Sequence, residues 1–197
     1  MDILVLYVII ILSAVFHEYS HGLMALELGD PTARDSGRLT LNPVPHLDLT
    51  GTVIVPLVSL FFFGSFIGWA KPVPVNPFLF KDQKNGVLKV SVAGIAANML
   101  LAAVFGLFVR FGAGYFSPVA VMLFEEVVIV NISLGLFNLL PFPPLDGSKI
   151  FHELFPRAWA GMMRLGAWGI LIALLVAQAF LPVAGSLIFR LFTGQGY

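Results

Sequence analysis

An all-α polytopic membrane fold, with one short β-strand or hairpin element and one re-entrant segment, is predicted by three features of this 197-residue sequence. Its residues are 58% hydrophobic and only 11% charged, against roughly 25% charged in an ordinary soluble domain. Uncharged stretches of about 20 residues recur along it, enough to cross a hydrocarbon core ~30 Å thick. Between Gly37 and Asn42 apolar and polar residues alternate at period two, which is the pattern of a strand. Eleven Lys and Arg balance eleven Asp and Glu, so the basic footprint of a nucleic-acid binder is missing. Cysteine is absent, which excludes disulfides, thiolate metal sites and a cysteine nucleophile.

The first apolar helix is expected from about Ile3 to Leu28, where Gly29-Asp30-Pro31 stops it. Met1-Asp2 is not the basic start of a signal peptide, and the run ends in His17-Glu18-Tyr19-Ser20-His21 instead of a small-residue cleavage site, so the helix is read as retained. Thr32 to Thr50 is polar and irregular and contains the candidate strand. Residues 51–70 are apolar but broken by Pro56, Gly64 and Gly68, and a basic, proline-rich loop follows from Lys71 to Lys89. Further apolar helices are expected at Val90 to Val109 and Val119 to Leu140. A last apolar region, Leu165 to Leu181, leads through Pro182 into a shorter tail. A single membrane domain over residues 1–197 is expected, with its core at about 3–150 and a helical C-terminal region at about 151–197.

Charge decides the threading, because Lys and Arg accumulate in cytoplasmic loops. A fully crossing 51–70 divides the basic residues seven (Lys71, Lys81, Lys84, Lys89, Lys149, Arg157, Arg164) against four (Arg34, Arg38, Arg110, Arg190). A re-entrant 51–70 moves Arg34 and Arg38 to the larger group and sharpens the bias. Re-entry is permitted where protein or a water-filled cavity covers the backbone. The expected topology has its N-terminus outside and its chemistry toward the cytoplasm.

His17 and His21 stand four apart, so both imidazoles lie on one helix face and can reach one ion, while Glu18 adjoins them with a carboxylate able to take a proton from water. A polar stripe for helix packing competes with that reading, but ionisable groups inside an apolar helix are functional candidates by default. A catalytic zinc usually takes a third protein ligand. Asp146 is the best candidate, since the prolines before it and Gly147 after it constrain the backbone at a helix exit. A solvated turn is its competing role. His17 lies about 21 Å along the first helix, near the second face of the core. With 51–70 re-entrant, the first and fourth apolar segments end on that face together.

The sequence resembles the site-2 proteases, zinc metalloproteases that cut substrates within the membrane, through HEYSHG at 17–22, GDPTARDSGRLTLNP at 29–43, GWAKPVPVNP at 68–77, AGIAAN at 93–98 and FNLLPFPPLDGS at 137–148. It is similar to their compact branch without PDZ or CBS domains. Ile95 departs from the proline common at that point of the family motif. The resemblance implies a site-2 protease-like core in which His17, His21 and Asp146 hold one Zn2+ and Glu18 is the general base. It also implies hydrolysis of peptide bonds within or near transmembrane segments of membrane proteins, in a cell-membrane location. The counterpart of Asn138 lies beside the metal. Its amide is read either as an oxyanion donor or as an interhelical hydrogen bond.

For Asn98 a helix-packing role is favoured, because Gly94 and Ala97 beside it read as a close-packing face. His46 is read as structural, with a gating role as its alternative. Trp69 beside Lys71 reads as an interfacial anchor, and Glu125 and Glu126 are assigned no catalytic role. The strand-like 37–42 offers an edge for an unwound substrate, to be tested by proline at position 40. The competing class is a non-hydrolytic membrane metal-binding protein or transporter using the same ligands.

Overall fold

The computed structural model describes residues 2–63, 68–112, 114–164 and 167–195. Helix α1 spans Ile3–Glu27 and is started by Asp2, whose carboxylate accepts from Leu4 N at 3.0 Å. It ends where Gly29 takes a left-handed φ of 104°, a conformation that suits glycine. A short helix α2, Thr32–Asp35, follows. Buried Asp30 ties this exit together, accepting from Thr32 N at 3.0 Å and from Asn76 N at 2.6 Å. Burial opposes its charge, but the Thr32 hydroxyl and these two backbone amides hold its carboxyl below the ordinary value.

The expected strand at 37–42 is not there. Among the described residues there is no strand at all, and this stretch is a series of turns and bends. A strand needs a partner to receive its ladder, and none is present: the amides of Arg38 and Leu39 both donate to Ala33 O, at 2.9 and 3.1 Å. The Arg38 guanidinium instead donates to Lys71 O at 2.7 Å. Leu39 packs toward Gly22 of α1, so the apolar alternation serves contacts with a helix. The β-addition surface expected there is withdrawn with it.

Residues 44–46 form one 3₁₀ turn, Leu49–Ile54 a π-helical turn and Val55–Phe63 helix α3. The segment returns to its origin. Trp69 N donates to Gly51 O at 3.0 Å and Lys71 N to His46 O at 2.9 Å. Pro56 follows directly on the π-helical turn, and the carbonyls upstream of its missing N–H accept from elsewhere, Gly51 O from Trp69 N and Thr52 O from the Tyr7 hydroxyl; Gly64 lies outside the described residues. Gly51 is required by the return, since a Cβ there would sit 2.3 Å from the Trp69 ring.

Helix α4 (Gly86–Gly112) and helix α5 (Pro118–Asn138) come next, followed by the short helices α6 (Asp146–Leu154) and α7 (Pro156–Met163) and then the long α8 (Ala167–Thr193). Among the described residues four helices are long and apolar enough to cross a membrane, namely α1, α4, α5 and Leu175–Thr193 of α8. The apolar region expected to stop at Leu181 therefore continues through Pro182. Spanning helices tolerate proline because neighbours satisfy the freed backbone groups.

Small residues let the spanning helices approach closely. A Cβ on Gly135 of α5 would lie 2.2 Å from Met99 of α4, and one on Gly106 of α4 would lie 2.6 Å from Phe192 of α8. Ala102, Val128, Ile132, Leu136 and Phe189 form the core where these three helices meet. Beyond α5 the chain passes Leu140 and Phe142, buried with Ala177 of α8, and so enters α6 with a fixed direction.

Candidate functional site

Three helices bring the predicted polar residues together. His17 and His21 lie on the buried face of α1, and Asp146 opens α6. Gly147 makes that opening possible: a Cβ there would come 2.1 Å from Leu139 O, so α6 can start against the end of α5 only with glycine. Asp146 Oδ2 lies 3.1 Å from His17 Nε2 and 2.9 Å from His21 Nε2, and the two Nε2 atoms are 2.9 Å apart. All three side chains are buried. Lys149, one turn along α6, donates to the other carboxylate oxygen at 2.9 Å.

Hydrogen bonding sets the state of both rings. Asn98 of α4 donates through Nδ2 to Asn131 Oδ1 at 2.8 Å, which turns its own oxygen to His17 Nδ1 at 2.6 Å. Asn131 in turn donates to Ser13 Oγ at 2.9 Å and to Val127 O at 2.8 Å. His21 Nδ1 donates to Val90 O at 2.7 Å. Both Nδ1 atoms are therefore the protonated ones, and both Nε2 atoms present lone pairs to each other and to the carboxylate. Three acceptors this close repel unless positive charge sits among them. A shared proton bridges two, whereas a divalent cation satisfies all three. Tetrahedral zinc with ligands at about 2.0–2.1 Å spaces its donors about 3.3 Å apart, so the cluster fits one zinc after a few tenths of an ångström of opening.

Glu18 faces the same space, and its carboxylate accepts from Val73 N at 2.8 Å. It stands where two cavities meet, one of about 540 Å³ and one of about 350 Å³, and shares with His17 and Asn138 the position of lining both. Asn138 Nδ2 donates to Leu134 O of its own helix at 3.0 Å. His46 is fully buried, bonds Thr40 O through Nε2 at 2.9 Å and lines the larger cavity.

The comparisons with known proteins follow the same lines. Over 179 residues the chain is 38% identical to YwhC of Bacillus subtilis strain 168, provisionally named a zinc metalloprotease, covering 87% of this chain and 78% of that protein. The chain belongs to peptidase family M50. The sequence profile of that family matches residues 115–180, which include the α5–α6 segment carrying Asn138 and Asp146. Two further relatives with the same provisional name are Rip2 of Mycolicibacterium smegmatis and MJ0611 of Methanocaldococcus jannaschii. The first is 30% identical over 171 residues, 84% of this chain and 63% of Rip2. The second is 30% identical over 116 residues, 56% of this chain and 54% of MJ0611. No solved structure gives a significant match. As an M50 member the chain is a zinc-dependent metalloendopeptidase of the site-2 protease type, embedded in the membrane through several spanning helices.

Two M50 residues were under-read from sequence. Asn98 is not only a packing amide, since it orients His17, and Asn131 completes the network that orients Asn98. The available signal was the cost of two amides inside spanning helices, but sequence does not say which helix faces meet. Val73 contributes through its backbone, which no side-chain motif reveals.

Proposed function

We propose that His17, His21 and Asp146 hold one zinc ion, that Glu18 is the general base, and that the chain hydrolyses peptide bonds within or near the transmembrane segments of membrane proteins. The convergence of two imidazole lone pairs and one carboxylate oxygen within 2.9–3.1 Å carries this reading. Zinc, when bound, supplies a Lewis acid toward the scissile carbonyl and water. Glu18 takes a proton from the attacking water and passes it to the leaving amine. The Val73 amide keeps the Glu18 carboxylate aimed at the junction of the two cavities. Asn138 is assigned the oxyanion role because it lines both cavities and its bond to Leu134 O leaves one amide hydrogen for a substrate oxygen.

An active site on the cytoplasmic side is supported by where the basic residues gather. Arg38 bonds the backbone at Lys71 and Pro72, Lys81 N bonds Leu28 O at 2.7 Å, and Lys149 stands at Asp146, all at the site end of the helices. Arg110 is at the opposite end, bonded to Leu191 O at 3.0 Å. That asymmetry has the sign of the positive-inside rule.

Chelating the metal from purified protein in proteoliposomes is expected to abolish cleavage of a single-span membrane peptide, and zinc is expected to restore it. Cleavage that survives complete metal removal overturns the assignment. Asn98→Ala, which releases His17 Nδ1, is expected to weaken zinc binding about 10- to 100-fold in a chelator competition; unchanged affinity would assign the Ser13-Asn131-Asn98 chain to packing alone.

A further inference from the structure

Glu126 is an ionisable group that this chemistry leaves unused. It lies inside α5, partly buried, and among the described residues it has no hydrogen-bond or ion-pair partner. A carboxyl group at such depth is costly, and where one occurs it faces a protein-lined or wet path and waits on a partner. Glu126 lines the larger cavity, and that cavity is a groove. On α5 its lining steps by fours from Glu126 through Val130 and Leu134 to Asn138, and on α1 it runs from Leu6 to Glu18. Each set is one helix face. The re-entrant segment is tied to this wall, since the Tyr7 hydroxyl donates to Thr52 O. At 1.5 Å per residue, Glu126 stands about 18 Å along α5 from Asn138, which lines both cavities with His17 and Glu18.

An apolar groove holds an apolar helix without choosing its register. One carboxylate at the far end chooses it, because a complementary charge is favoured there and a misplaced one is left unpaired. The geometry points to Glu126 as a specificity-determining subsite for the segment being cut. It accepts a hydrogen-bond-donating side chain, lysine above all, carried on the far side of the scissile bond. The spacing is about 5 residues if the intervening segment is extended and about 12 if it is helical. Glu125, one residue away, does not line the groove. This inference rests on the protease reading.

The test uses dye-labelled single-span peptides in nanodiscs, one leucine-rich and a set carrying one lysine scanned through those spacings. Binding is measured to zinc-loaded Glu18→Gln protein, and cleavage by the unsubstituted enzyme. One lysine position is expected to bind about tenfold or more tighter than the leucine peptide. Glu126→Gln should bring that ratio close to one. Glu126→Lys should favour an aspartate peptide of the same register, which also shows that the variant is folded, and Glu125→Gln should keep the original ratio. Equal binding of lysine and leucine peptides at every spacing, as when lipid fills the groove, overturns the subsite, and so does a ratio that Glu126→Gln leaves intact. Peptides that bind through Glu126 but are not cut by the zinc-loaded enzyme keep the subsite and overturn the protease reading.

Discussion

Glu18→Gln is expected to keep its zinc and to lose peptide cleavage by about two to four orders of magnitude. The cluster that could hold a metal is His17, His21 and Asp146, and Glu18 is not part of it. Glutamine has the same shape and still offers an oxygen to the Val73 amide, now accepted at 2.8 Å, so the local fold has no reason to change. What disappears is the ability to take a proton from water and return it to the leaving amine. Metal content per chain and cleavage rate, measured on one proteoliposome preparation, separate these effects. Cleavage undiminished in the variant would remove Glu18 from the general-base role, whereas zinc bound with no cleavage by either protein would move the chain into the class of non-hydrolytic metal carriers. Loss of zinc together with activity would show that Glu18 is a ligand and that the three-ligand site is wrong.

Gly94→Ala is expected to weaken zinc binding at least about 100-fold. A Cβ at Gly94 would lie 2.6 Å from Cε1 and Nε2 of His21 and 2.7 Å from Cε1 of His17, where ordinary contact begins near 3.4 Å. The rings cannot swing clear, because His17 is held by Asn98 and His21 by Val90 O. Alanine is also the better helix former, by about 1 kcal/mol, so α4 itself is not expected to unfold. Circular dichroism that stays helical while zinc is lost fits a displaced ligand pair; retained affinity would mean that the rings tolerate the methyl group, and that their arrangement is looser than the contacts indicate.

Some of this centre was legible before any folding was considered. His17, Glu18 and His21 fall within one turn of one helix, so helical periodicity alone puts both imidazoles on one face. The four long helices were legible for the same kind of reason, since apolar length is a local property of the chain. Asp146, 129 positions from His17, was identifiable because proline and glycine around a lone aspartate restrict where it can point. The alternation at 37–42 misled because it too is local. It records which side chains are apolar, and a helix such as α1 satisfies that pattern as well as a partner strand does.

The tertiary fold supplied what local pattern lacks. Asn98 meets His17 only because α4 runs back along α1, and Asn131 meets Asn98 only because α5 packs on α4 with Gly135 against Met99. Glu126 likewise stood in the sequence as a carboxylate without a catalytic role, and acquires a direction once its helix face and that of α1 enclose one groove. Periodicity and composition act over a few residues and so fix which faces a helix has. Which faces meet depends on close approach between segments far apart in the chain, and that is where the orientation of the ligands and the selection of a substrate arise.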